Sequence, residues 1–255
     1  MADEELATTD DAVLGGRLRL IQPRRGHRVG HDAILLAAAT GGSGGEHAVD
    51  LGAGIGAAGL ALAARVPGLR VTLVEIDPVL AALAAENIAR NGVAERMRAC
   101  ALDVAATARS FAAAGLPAGS AARVLMNPPF NDPARQRPSP DRSRRLAHAS
   151  IGIAAWIRTA ARLLGRRGVL TMIWRPEGLP SLLADLSLPF GAVTVMPVHP
   201  RPRAAAIRIL VRAVKASRAP PAIVAGLILA DDDGRPTAQA DAILRNGAAL
   251  PLANL

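Results

Sequence analysis

The tetrapeptide Asn127-Pro128-Pro129-Phe130 brings together groups that can activate a weak nitrogen nucleophile. The amine of adenine, or the amide of a glutamine, attacks poorly because its lone pair is delocalised. Two acceptors placed to receive both N–H bonds favour a more tetrahedral nitrogen with an available lone pair. Asn127 supplies a side-chain carbonyl and Pro128 a backbone carbonyl. The prolines fix φ and hold Asn127 out of the helical region, so the pair is preorganised. Phe130 offers a face for stacking a planar base or amide. By itself an Asn-Pro pair is an ordinary turn, and Pro-Pro an ordinary strand stop. Its meaning depends on what stands upstream.

Upstream runs Val49-Asp-Leu-Gly-Ala-Gly-Ile-Gly56, between a short apolar segment and a helical one. Gly52 and Gly54 let the backbone turn sharply and approach a ligand closely, and the following helix directs its N–H groups there. Glu75 follows about twenty residues on, at the end of the next strand, where a carboxylate accepts from ribose hydroxyls. Asp103 ends the third strand, in position for an adenine ring. Gly54, Gly56 and Gly59 also satisfy G-x-G-x-x-G, so the turn alone divides evenly between a nicotinamide dinucleotide and S-adenosylmethionine. Asp50 favours the second: its carboxylate suits the ammonium group of a methionine moiety and sits badly beside a pyrophosphate. A sulfonium methyl is already activated, so no strong base is needed next to Asn127.

These residues need strands that end together. The pattern predicts strands over 48–51, 71–75, 97–102, 124–126, 169–174, 193–198 and 205–214, and helices over 57–65, 78–91, 104–114 and 147–164. A further helix runs through the apolar residues 33–39, with Asp32 as its cap, after short turns from Val13. The fold expected is α/β, a doubly wound, seven-stranded, mostly parallel, Rossmann-like sheet with an antiparallel ending. Residues 1–10 read as a flexible acidic tail and residues 11–255 as one domain, with 131–145 an arginine-rich substrate loop.

Composition sets the outer limits. Of 255 residues 51% are hydrophobic and 20% charged, as in a globular chain rather than a disordered one. No apolar run is long enough to span a membrane, and the acidic start lacks a secretory layout, so a cytoplasmic protein is expected. The single cysteine, Cys100, excludes an internal disulfide and a cysteine metal site. His27 and His31 lie four apart, but Gly26 and Gly30 interrupt a helix there, so no metal is expected. The formal net charge of +9 is almost all arginine, a residue that grips phosphate bidentately, which is compatible with RNA. Its placement says more: Arg135, Arg137, Arg142, Arg144 and Arg145 face one carboxylate, Asp141, just beyond Phe130. Trp156 and Trp174 read as core residues.

With these motifs in place, the chain resembles the amino-group methyltransferases that carry Asn-Pro-Pro-Tyr/Phe. Among them it is most similar to the bacterial tRNA-valine adenine-37 N6-methyltransferase family. The likeness takes in Gln22-Pro23, the segment from Gly26 to Asp32, Ala147-His148, His199-Pro-Arg-Pro-Arg203 and the tail from Asp232 through Arg245. It implies a class I S-adenosylmethionine fold in which Asp50, Gly52, Gly54, Glu75 and Asp103 hold the cofactor. Asn127, Pro128, Pro129 and Phe130 would hold the target amine, and tRNA would be the partner. Phe130 replaces the commoner tyrosine, and Leu229-Ala230 stand where the family carries a polar pair. The alternatives are N5-methylation of a glutamine in a protein such as a release factor, methylation of a hydroxyl, and a non-enzymatic RNA-binding protein on the same fold.

Overall fold

The computed structural model describes residues 7–25, 28–129 and 152–255. An antiparallel hairpin, β1 (Thr8–Val13) and β2 (Leu18–Pro23), comes first. Then follow α1 (His31–Ala39), β3 (His47–Leu51), α2 (Ala57–Arg65), β4 (Arg70–Glu75), α3 (Pro78–Arg90), β5 (Met97–Ala101), α4 (Ala108–Ala113) and β6 (Ala121–Met126). The chain continues through α5 (Ile153–Leu163), β7 (Leu164–Trp174), α6 (Leu179–Leu186), β8 (Phe190–His199) and β9 (Arg208–Lys215). The two-residue strands β10 (Ala222–Ile223) and β11 (Leu227–Ile228) and the helix α7 (Ala238–Leu244) close it.

Among the described residues the main sheet has nine strands in the order β10-β8-β9-β7-β6-β3-β4-β5, with β11 also on β8. Seven are the strands expected from the sequence; β10 and β11 add a short parallel edge. The chain runs outward from β3 through β4 to β5, returns to β6 on the other side of β3, and continues outward to β7. The β3/β6 junction is therefore the topological switch point, where open α/β sheets bind ligands at their carboxyl ends. Strand β9 runs antiparallel to both β7 and β8, the expected ending.

Each face of the sheet has its own core, which is why the central strands are buried throughout rather than alternating. On one side Val71, Leu73, Leu125 and Leu210 pack with Leu36, Leu60, Leu62 and Ile88 from α1, α2 and α3. On the other, Val49, Leu51, Val74 and Met126 pack with Phe111, Trp156, Ile157, Leu163 and Leu182 from α4, α5 and α6.

Several local readings are corrected. Strand β1 begins at Thr8, inside the expected tail, because Asp10 is held by Arg19 and Arg90 and Asp11 by Arg28. Residues 8–23 form a hairpin, where short turns were expected from Val13. Gly30, not Asp32, is the cap of α1; Asp32 lies in the first turn and pairs with Arg208 of β9 at 2.8 Å. Helix α4 starts at Ala108 rather than 104, since Asp103 Oδ1 accepts the Ala105 N–H and ties residues 103–105 into a turn. Thr107 then caps the helix through Ser110 N–H. Residues 147–151 of the expected helix lie outside the described residues, as do His27, His148 and the arginine loop 131–145.

Candidate active site at the carboxyl ends of four strands

Strand register places the site. Leu51 of β3 pairs with Met126 of β6 and with Val74 of β4, and Val74 with Cys100 of β5. One residue further, Gly52, Asn127 and Glu75 form a row across the sheet, with neighbouring strands about 4.8 Å apart. Gly52 and Ala53 both donate to Val74 O, at 2.8 and 3.0 Å, and fold the chain back over the end of β4.

The glycines of the turn do different work. Gly52 has φ +70°, and a Cβ there would lie 2.5 Å from the Trp156 ring. Gly54 has φ +56°, with open space where its Cβ would stand. Its N–H donates to Glu75 Oε2 at 2.7 Å, so turn and carboxylate are built as one piece. Glu75 Oε1 accepts from Asp77 N–H at 3.0 Å. Each carboxylate oxygen keeps further lone-pair capacity for a hydroxyl donor. Asp103 follows β5 by two residues and is half-buried.

Asp50 is 2% exposed, and its Oδ2 accepts the Gly59 N–H at 2.9 Å, so it braces α2 against β3 from beneath the turn. Burial pushes its pKa up to about 7; the Gly59 N–H opposes this, and the charge of Glu75 adds to it. Gly59 is required for the same contact, since a Cβ would stand 2.3 Å from Leu73 Cδ2. The third glycine of the G-x-G-x-x-G pattern thus serves helix–strand packing.

Asn127 follows β6 directly, and its Oδ1 is buried with no hydrogen-bond partner among the described residues. Pro128 is buried and Pro129 exposed; Phe130 lies outside the described residues.

Sequence reasoning missed three contributions. Trp156 is a core residue as expected, yet its ring also forms the wall against Gly52. Asn87 of α3 is fully buried, and its Nδ2 donates to Ile55 O within the glycine turn and to Ile21 O in the hairpin, at 3.1 and 3.0 Å. Its Oδ1 accepts the Ile21 N–H at 2.7 Å. Buried Gln22 accepts the Val29 N–H at 2.9 Å and donates to Asp11 at 2.7 Å, fastening the hairpin to the approach to α1. Neither contact leaves a local mark in the sequence. Trp174, expected in the core, is half-buried at the end of β7, over Gly178. Among the described residues no cluster of three or more potential metal ligands occurs, and no helix is long and apolar enough to cross a membrane.

The cradle fits an adenosine-bearing cation: an open glycine turn, a carboxylate with spare acceptors and a second buried carboxylate beneath. A tRNA1(Val) (adenine(37)-N6)-methyltransferase of Enterobacter sp. (strain 638) is 29% identical over 165 residues, 64% of this chain and 64% of the relative. The protein of the same name from Porphyromonas gingivalis (strain W83) is 31% identical over 161 residues, 61% of each chain. The matched segment thus spans less than two thirds of the length of these curated relatives. The crystal structure of a predicted O-methyltransferase, protein Atu636 of Agrobacterium tumefaciens, superposes with a TM-score of 0.73 at 31% identity. That match covers 86% of this chain and 98% of that one. A SAM-dependent O-methyltransferase of Thermotoga maritima shares the fold at 19% identity and a TM-score of 0.52, over 76% of this chain and 68% of its own. Residues 32–198 match the methyltransferase small domain family, and the chain belongs to that family.

Proposed function

We propose that this chain transfers a methyl group from S-adenosylmethionine to the N6 amine of an adenine in tRNA. One observation carries the reading: the buried Asn127 Oδ1 has no donor among the described residues and stands one strand over from Gly52. An acceptor in that state awaits an N–H, and the target amine provides two.

Bound S-adenosylmethionine would supply an electrophilic methyl on a sulfonium. Gly52, Gly54 and Glu75 would hold its ribose side and Asp103 its adenine, while Asp50 adds negative potential from below the turn. Asn127 Oδ1 would accept one N–H of the target and the Pro128 carbonyl a second, with Phe130, outside the described residues, the proposed stacking partner of the base. The nitrogen lone pair is thereby freed for attack, and its proton leaves to water after transfer. Similarity to the tRNA adenine-N6 enzymes supports nitrogen and tRNA. The name of the Agrobacterium protein points instead to oxygen, but a hydroxyl must lose its proton in the reaction, and the Asn127 amide oxygen does not take one. Arg135, Arg137, Arg142, Arg144 and Arg145, beyond Phe130 in the chain, would meet RNA phosphates.

The test is incubation with methyl-labelled S-adenosylmethionine and separate pools of tRNA, ribosomal RNA and release factor. Label in N6-methyladenosine from tRNA is expected. Label in protein glutamine alone would replace the substrate with an amide, and label on a ribose or phenolic oxygen would overturn the chemistry.

A further inference from the structure

The opposite end of the sheet carries a second concentration of charge. Between the pairs Ala121↔Leu164 and Arg123↔Val169, β7 gains extra residues over β6. Gly165-Arg166-Arg167-Gly168 stand there against Ala122 alone, a bulge that leaves both arginines exposed. Arg167 has φ +65°, a left-handed conformation that costs a non-glycine residue on the order of 1 kcal/mol. Bulges of this kind re-aim side chains.

The two arginines line a cleft of about 410 Å³ together with Arg70, Arg123, His47 and Ser120. Its one carboxylate, Glu46, is already committed: both oxygens accept from Arg123, each at 3.1 Å. Arg70, Arg166 and Arg167 have no ion-pair partner among the described residues. His47 bonds Thr72 Oγ1 at 3.0 Å and Ser120 O at 3.3 Å. Burial lowers the pKa of His47 below its usual value; the Ser120 carbonyl opposes this, and the nearby charges of Arg70 and Arg98 add to it. Ser120 Oγ is buried without a partner among the described residues. The cleft thus holds unpaired guanidinium groups, a strained bulge that presents two of them, and an unused hydroxyl.

We propose that this cleft binds backbone phosphate of the RNA substrate, as an anchor distinct from the methyl-transfer site. Guanidinium forks match phosphate oxygens bidentately, and Ser120 Oγ can donate to a third oxygen. Strand β6 runs from the cleft at Ala121 to Asn127, a separation of roughly 20 Å at about 3.3 Å per residue. A folded RNA can bridge that distance, so the anchor would hold a backbone segment remote from the target base. The inference rests on the RNA reading given above.

The experiment compares the full chain with Arg166→Ala/Arg167→Gly, in which glycine suits the observed φ, and with Arg70→Ala on a separate strand. Binding of unmodified tRNA is measured from about 50 to 200 mM salt, alongside methylation kinetics. The expected result is binding about tenfold weaker for the double variant, a log–log salt slope flatter by roughly 1.4–1.8, a raised KM and an unchanged kcat. Arg70→Ala should move the same way by about half. Wild-type slope and KM in both variants would overturn the anchor while leaving the methyltransferase reading intact. Inorganic phosphate raising the Tm of wild type alone, with tRNA binding equal in all three proteins, would overturn it in favour of a small-anion site. Failure of the wild type to bind or methylate any RNA would remove both readings.

Discussion

An amide oxygen buried without a donor forfeits about 1–3 kcal/mol, and folded chains retain few such atoms. Among the described residues Asn127 Oδ1 is one, at the end of the strand beside the glycine turn. Asn127→Ala removes the acceptor without unpairing any described donor, so the fold should keep its stability or gain slightly. Single-turnover methylation should fall about 100- to 1,000-fold, the scale for losing one preorganised charge-stabilising hydrogen bond. Cofactor affinity by calorimetry should stay within about twofold. Intact turnover with lost cofactor binding would contradict the assignment. Asp50 makes a second residue-scale prediction through its pKa of about 7, raised by burial from the ordinary carboxylate value of 3.8. For a raised acid, the protonated form is the one favoured in the folded state. The stability it contributes is therefore complete below the unfolded value near 3.8 and is lost as pH rises toward 7. Asp50→Asn keeps an acceptor for Gly59 N–H but cannot ionise, so its Tm should decline less than wild type between about pH 4 and 7. Parallel Tm–pH curves for the two proteins would refute this. A cationic ligand above the turn would favour the carboxylate, so binding below pH 7 should release protons, detectable as a buffer-dependent calorimetric heat.

At the scale of elements, one buried side chain joins three parts of the molecule. Asn87 of α3 bonds Ile21 of the hairpin twice and Ile55 of the glycine turn once. Asn87→Ala leaves the Ile21 N–H and two carbonyls unpaired and should cost about 2–4 kcal/mol. The loss should appear locally as faster amide exchange at Ile21 and as weaker cofactor binding, with kcat at saturation nearly unchanged. Uniformly faster exchange with normal cofactor affinity would make Asn87 a merely structural residue. This connection also marks where sequence reading ends. Strands β3 to β6, the turn glycines, Glu75 and Asn127 were legible because their signals are local: apolar runs, punctuating glycines and a contiguous tetrapeptide. The hairpin was not, because Thr8-Thr-Asp-Asp reads as a solvated tail until Arg19, Arg28 and Arg90 are brought to its carboxylates. Helix α6 is short and carries Pro180 in its first turn, so it has few residues in which to show a period. The wall that Trp156 forms against Gly52, and the brace from Asp50 to Gly59, arise only when separate segments pack.

At the scale of the molecule, the strand order opens one crevice at the proposed site, whereas the glycine motif alone accepts two kinds of ligand. Reversal of direction between β3 and β6 opens a crevice over Gly52 and Asn127, with Glu75 and Asp103 beside it. A dinucleotide would bring a pyrophosphate dianion to that turn, over a buried carboxylate whose pKa is already raised by desolvation and by Glu75. More negative charge there would push Asp50 further toward protonation, whereas a sulfonium and an ammonium would do the reverse. The two cofactors should therefore differ in their effect on folding. At one hundred times its Kd, a ligand specific for the folded state adds about 2.7 kcal/mol. For a chain of this size that corresponds to a rise in Tm of about 5–10 °C. S-adenosylmethionine and its demethylated product should both give this shift, and NAD or NADP at equal concentration should give none. Amide exchange should slow at residues 52–56, 75–77 and 103–105 on binding, while the arginine cleft at the far end of β6 keeps its free-state rates. A thermal shift with nicotinamide dinucleotides alone, or protection confined to the far end of the sheet, would move the site and with it the chemistry argued from Asn127.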